Sequence, residues 1–209
     1  MTSTTEQNPT HSSMSSQLRE QVLNWLSDNV PSPRITHILG VEQMAIDLAL
    51  HHQLDTTQAQ IAALMHDLAK YFPKDILLEK ARANKLPLDD ILESHPRLLH
   101  ADVSAIVAKE EFGIQDQEIL NAIANHTLGK PEMSPVSCVV FLADTLEPGR
   151  GDTPELEILR AFCFKNLDQA VWKTCDYTLN EIMKNAKVIH PRIIFTRNWA
   201  LKKYRAMGV

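Results

Sequence analysis

Residues 61–70 read IAALMHDLAK. Apolar side chains and alanines dominate this stretch, so it reads as part of a helix with little surface left for water. Into it the chain sets an imidazole and a carboxylate side by side, His66 and Asp67. A charged carboxylate among apolar neighbours is costly unless it is paired or bound to a metal. What surrounds that pair decides both the fold and the chemistry.

Outward from the pair, apolar residues keep recurring at three- and four-residue spacing, and few segments alternate with period two. Leu18, Val22, Trp25 and Leu26 mark a first helix, closed by Pro31 and Pro33. Ile38, Val41, Ala45 and Leu48 mark a second over about residues 34–52. Thr56 or Thr57 caps a third, expected to run through HDLAK to Pro73. PKDILLEKARANK and residues 86–94 predict two short helices, and SHPRLLH reads as a loop. ADVSAIVAKEEF stops at Gly113, a helix C′ residue, and Asp116 caps QEILNAIANH. Ser134-Pro135 opens VSCVVFLADTLE, and Thr153-Pro154 opens the next helix in the same way. SCVVFLAD would pass as a buried strand by propensity, but the capping pair favours helix. Helices over about 167–186 and 191–207 complete an all-α bundle of roughly ten helices, a single domain over residues 17–209. Residues 1–16, rich in Ser, Thr and Gln, read as a disordered tail.

Composition narrows the classes. A chain of 209 residues with 44% hydrophobic content supports one core. A net charge of -5 gives no electrostatic case for nucleic-acid binding, so phosphates would have to be met by local cations or metals. Cys138, Cys163 and Cys175 are odd in number and lack CxxC spacing, which suits reduced thiols in the cytoplasm. No apolar run approaches the roughly 20 residues of a membrane-spanning helix, and the start lacks the pattern of a secretory signal.

Among nine histidines, a subset falls into order with two aspartates: His37, His66-Asp67, His100, His126 and Asp144. Apart from the adjacent pair, each comes from a different predicted helix. Helical bundles build metal sites in this way, from side chains on facing helices. Imidazole suits Fe, Mn, Co and Zn, and a carboxylate can bridge two ions. Four imidazoles and two carboxylates exceed what one ion needs with water positions open. They suit two ions about 3.5–4 Å apart with a bridging hydroxide as nucleophile. His51 and His52 read as an exposed helix end, His11 as tail, and His95 and His190 as local caps. Trp25, Trp172 and Trp199 read as core rather than as stacking platforms.

The ordered set resembles the HD superfamily of metal-dependent phosphohydrolases. More narrowly, it is similar to the YqeK family of symmetrical diadenosine tetraphosphate hydrolases. The matching stretches are RITHILGVEQMAIDLA, AALMHDLAKYFP, LLHADVSAIVAKEEFGI, AIANHTLGKPEMS, FLADTLEPGR and HPRIIFTRNW, which span about residues 18–200. The resemblance implies a two-metal centre, iron by expectation, with Mn, Co or Zn chemically acceptable. Its ligands would be His37, His66, Asp67, His100, His126 and Asp144, with Asp67 bridging and acting in catalysis.

Around these ligands, Lys70 shares a helix face with His66 and Asp67 and would hold a phosphate oxygen and stabilise developing charge. Arg34 and Arg150 would clamp phosphates, Arg34 being equally suited to a structural ion pair. Thr127 and Gly129 would form a loop that brings backbone N–H groups to the substrate. The expected substrate is a dinucleoside polyphosphate, cut symmetrically to two ADP. A mononucleotide phosphohydrolase is the alternative, and a non-catalytic nucleotide-binding regulator a third. Neither membrane nor nucleic acid is an expected partner. The oligomeric state is open, a homodimer included.

Overall fold

Helices begin where a side-chain oxygen is ready to take an orphan N–H. Ser15 accepts from Leu18 N and opens α1 (Ser16–Asn29), while Pro at the first turn starts α2 (Ser32–His51). Asp55 accepts from two N–H groups and opens α3 (Thr56–Met65). Next come α4 (Lys74–Ala83), α5 (Asp90–Ser94), a 3₁₀ turn over Pro96–Leu99 and α6 (His100–Phe112). Asp116 caps α7 (Gln117–Asn125) and Ser134 caps α8 (Pro135–Leu146). After a 3₁₀ turn at Pro148–Arg150 come α9 (Pro154–Lys165), α10 (Leu167–Lys184) and α11 (Pro191–Ala206). This computed structural model describes residues 14–208, and among them no strand occurs.

The segment that also passed as a strand is α8, and it forms the axis of the bundle. Val136 to Ala143 are buried without a break. Such a helix needs neighbours on every side, and α2, α3, α7 and α10 supply them. α9 and α11 pack on α10 behind it, and Arg192 and Thr196 of α11 also bond the Ala124 and Leu128 carbonyls at the end of α7. Trp25 packs against Phe72 and Phe112, with ring centroids 6.2 and 6.3 Å apart, at the flank of the core. No helix among the described residues is long and apolar enough to cross a membrane.

Five expectations need correction. The third helix stops at Met65, so HDLAK lies in a run of tight turns rather than in the helix. The cause is local competition for hydrogen bonds. The His66 ring takes the Ala63 carbonyl, and the Ala69 N–H donates to Ser104 Oγ on α6 instead of to Met65. SHPRLLH contains a 3₁₀ turn, and the helix expected over 86–94 is confined to Asp90–Ser94, where Asp89 can cap it. His51 and His52 do more than end α2, since each ring bonds a carbonyl of α9, that of Phe164 and of Cys163. Finally, Met14 is buried and Ser15 caps α1, so residues 14–16 belong to the folded domain. The rest of the expected tail, His11 included, lies outside the described residues.

Candidate metal centre

Three of the histidines are presented by the same device. His66 and His126 stand just past the C-termini of α3 and α7, and His100 just past the 3₁₀ turn. Each ring closes back on the carbonyl three residues earlier: His66 Nδ1 on Ala63 at 2.6 Å, His100 Nδ1 on Arg97 at 2.7 Å, His126 Nδ1 on Ile123 at 2.8 Å. A carbonyl only accepts, so each Nδ1 carries a hydrogen. In the neutral ring that leaves the Nε2 lone pair as the free end, and in all three it points into one buried cluster. The helix C-termini behind His66 and His126 add partial negative charge to the site.

His37, on α2, reaches the cluster from the opposite side. Its Nδ1 donates to Glu147 Oε1 at 2.9 Å, so its Nε2 is again the free nitrogen. That nitrogen lies 3.0 Å from Asp144 Oδ1 on α8. Asp67 sits in the middle. Its Oδ2 is 3.5 Å from His66 Nε2, whereas its Oδ1 is 3.4 Å from His100 Nε2 and 3.5 Å from His126 Nε2. The ligand atoms thus fall into two groups that could each hold an ion, His37-His66-Asp67 and Asp67-His100-His126, with Asp67 in both. Asp144 borders the first group, 3.7 Å from His66 Nε2.

The cluster's hydrogen bonding does not close on itself. His66 Nε2 and both oxygens of Asp67 are buried and have no hydrogen-bond partner. His100 Nε2 and His126 Nε2 face each other at 3.1 Å. Two lone pairs at that distance repel unless a proton or a cation lies between them. Ligands at right angles and ~2.1 Å from a common ion would be about 3 Å apart, so the donor set fits a metal.

Electrostatics point the same way. Burial disfavours charge on Asp67, but the His66 charge and the His100 and His126 rings beside its Oδ1 outweigh it and hold the carboxyl well below its usual range. Burial likewise opposes charge on Asp144, yet the His37 ring against its Oδ1 and the His66 charge keep it ionised. Burial also works against protonating His66, but Asp67 and Asp144 more than compensate, and its pKa is raised. Burial drives His126 down to about 4, leaving a neutral ring with a lone pair to give. The result is two buried carboxylates facing nitrogen donors.

Cations already border this cage. Arg34 NH1 is 3.2 Å from Asp67 Oδ2, in keeping with the ion-pair reading, although one guanidinium can also face a phosphate. Lys70 Nζ is 2.9 Å from His100 Nε2 and 3.6 Å from Asp67 Oδ1, with the side chain 31% exposed. Arg150 bonds both the carboxylate and the main-chain carbonyl of Asp144. Thr127 Oγ1 lies 3.1 Å from His100 Nε2. Gly129 is the exception. Its N–H is donated to Asn125 O, and a Cβ there would come within 2.5 Å of Thr196 on α11. With φ at +60° it shapes the turn after His126 and has no N–H left for a substrate.

Several supporting residues escaped sequence reading. Glu147 is buried and aims His37, a role hinted at only by its place three residues after Asp144. Gly40 makes room for it, since a Cβ at Gly40 would stand 2.6 Å from Glu147 Oε2. Gly40→Ala is therefore expected to push Glu147 off His37 and to weaken metal binding about tenfold, read by chelator competition. Arg192, on α11, bonds Asp102 of α6 and the Ala124 carbonyl of α7, tying together the segments that carry His100 and His126. His190 caps α11 through Arg192 N, as a local role requires.

Residues 34–149 match the family described as HD domain. A Bacillus subtilis protein named symmetrical bis(5'-nucleosyl)-tetraphosphatase is 34% identical over 87% of this chain and 96% of its own length. A Halalkalibacterium halodurans protein of the same name is 35% identical over 88% and 97%. A crystal structure from Clostridium acetobutylicum, titled a predicted HD superfamily hydrolase involved in NAD metabolism, superposes with a TM-score of 0.85 at 31% identity, covering 92% of this chain and all of that one. With more than half of its length inside the domain match, the chain belongs to the HD-domain family, in the branch of relatives named symmetrical bis(5'-nucleosyl)-tetraphosphatase.

Proposed function

We propose that the protein hydrolyses diadenosine tetraphosphate and related dinucleoside polyphosphates symmetrically, giving two ADP. The observation that carries the chemistry is the set of buried Nε2 atoms, with every Nδ1 tied off, around a carboxylate whose oxygens have no hydrogen-bond partner. The specific substrate rests on the names of the relatives. His37, His66, Asp67 and Asp144 would hold one divalent ion and Asp67, His100 and His126 a second, with iron the first choice. Bound there, the pair would lower the pKa of a water molecule and neutralise phosphate charge.

The chain's own residues do the rest. Water adds to one of the two central phosphorus atoms, the bond to the bridging oxygen breaks, and one ADP leaves with that oxygen. Lys70 holds its ammonium at the edge of the cage, where charge builds on nonbridging oxygens. Arg34, Arg150 and His37 line one open cavity, so an incoming polyphosphate meets two guanidinium groups beside the ligands. On a chain with net charge -5 such local cations are what make a polyanion welcome, and that charge also speaks against nucleic acid as a partner. Three buried, free cysteines suit a reducing cytoplasm.

Incubation of anaerobically purified protein with diadenosine tetraphosphate, followed by product separation, tests the reading. ADP as the sole nucleotide product is expected. AMP plus ATP would mean asymmetric attack, and turnover of a mononucleotide alone would replace the reading with the mononucleotide phosphohydrolase.

A further inference from the structure

Two cavities of opposite chemistry meet at the turn after α8. One is the cationic cavity of Arg34, His37 and Arg150. The other, about 460 Å³, runs along α2 and is walled by Met44, Phe164 and Pro148. Glu147 and Gly149 line both. A volume of this order suits a small organic ligand.

The second cavity repels phosphate. Its one cation, Arg160, is spent on the carbonyls of Leu146, Glu147 and Gly151. Its polar rim includes Asp47, whose Oδ1 accepts from Gln43 Nε2 at 2.9 Å. That bond leaves Asp47 Oδ2 and Gln43 Oε1 as acceptors for an N–H or O–H donor on a ligand. Met44 is buried in the wall, while Phe164 is 42% exposed, with the His51 ring 5.2 Å away and edge-on. An apolar slot with an aromatic wall and acceptors at its rim fits a nucleobase that carries an exocyclic amine.

We propose that this cavity holds one nucleoside arm of the substrate, base inward, while the phosphates cross Glu147-Gly149 into the cationic cavity. It rests on the phosphohydrolase reading and adds to it a selectivity for nucleotides over bare polyphosphate. Met44 and Phe164 are the binding residues it assigns.

The test uses the metal-loaded full chain and two probes, ADP and inorganic pyrophosphate, with affinities measured by calorimetry. Met44→Trp fills the slot, and Phe164→Ala removes an exposed wall without touching the core. Both are expected to weaken ADP about tenfold and to leave pyrophosphate within about twofold, so ADP loses its advantage over pyrophosphate. Phe164→Ala decides alone if Met44→Trp fails to fold. Unchanged ADP affinity in the folded variants, with pyrophosphate still bound, overturns the nucleoside pocket and leaves the hydrolase reading standing. Wild-type protein that binds neither probe overturns both.

Discussion

Asp67→Ala is expected to remove metal and turnover together, with activity reduced by about a thousandfold or more. Asp67 is the one side chain common to both ligand groups, with Oδ2 toward His66 and Oδ1 toward His100 and His126. Its loss takes a ligand from each position at once. It also removes the carboxylate that offsets burial around His66, so four imidazoles would be left crowded with only Asp144 and, at His37, Glu147 for compensation. The metal content of the purified variant, by elemental analysis, should fall toward zero while circular dichroism stays helical. A variant that keeps two ions per chain, or wild-type turnover, would contradict the assignment. His66→Ala should follow it, with a smaller loss of metal, because His66 belongs to one group alone.

Lys70→Met is expected to separate chemistry from metal. Methionine keeps the length and apolar stem of lysine and deletes the ammonium that lies 2.9 Å from His100 Nε2. Lys70 is no ligand, and the imidazole and carboxylate set stays whole, so metal content should be unchanged. Turnover should drop about a hundredfold, mostly in kcat, because a cation aimed at developing phosphate charge contributes most in the transition state. Loss of metal in this variant would recast Lys70 as a structural partner of Asp67, to which it stands at 3.6 Å. Unchanged kcat would remove it from the reaction.

Much of the fold was legible because its punctuation is local. A cap needs one oxygen two or three residues from the N–H it accepts, and Ser134, Thr153 and Asp116 announce their helices that way. Ligand candidates were legible for a different reason: histidine and aspartate within apolar helical segments have few inexpensive roles, and their order along the chain matched a known pattern. What stayed hidden is contact between distant segments. Nothing near residue 65 says that Ala69 will donate to Ser104 and end α3 early. The Gly40-Glu147 fit joins residues more than a hundred positions apart, and Arg192 supports two histidines from the last helix. Gly129 misled for the same reason, since the feature that explains it, Thr196, lies on α11.

The central claim is that six side chains enclose a pair of ions. Anomalous diffraction at the iron edge, on crystals of protein purified and grown without oxygen, tests it most directly. Two peaks per chain are expected, one among His37, His66, Asp67 and Asp144 and one among Asp67, His100 and His126, each bound through Nε2. A cage without peaks at the edge of iron, manganese, cobalt or zinc, its imidazoles bonded to one another through protons, would contradict it.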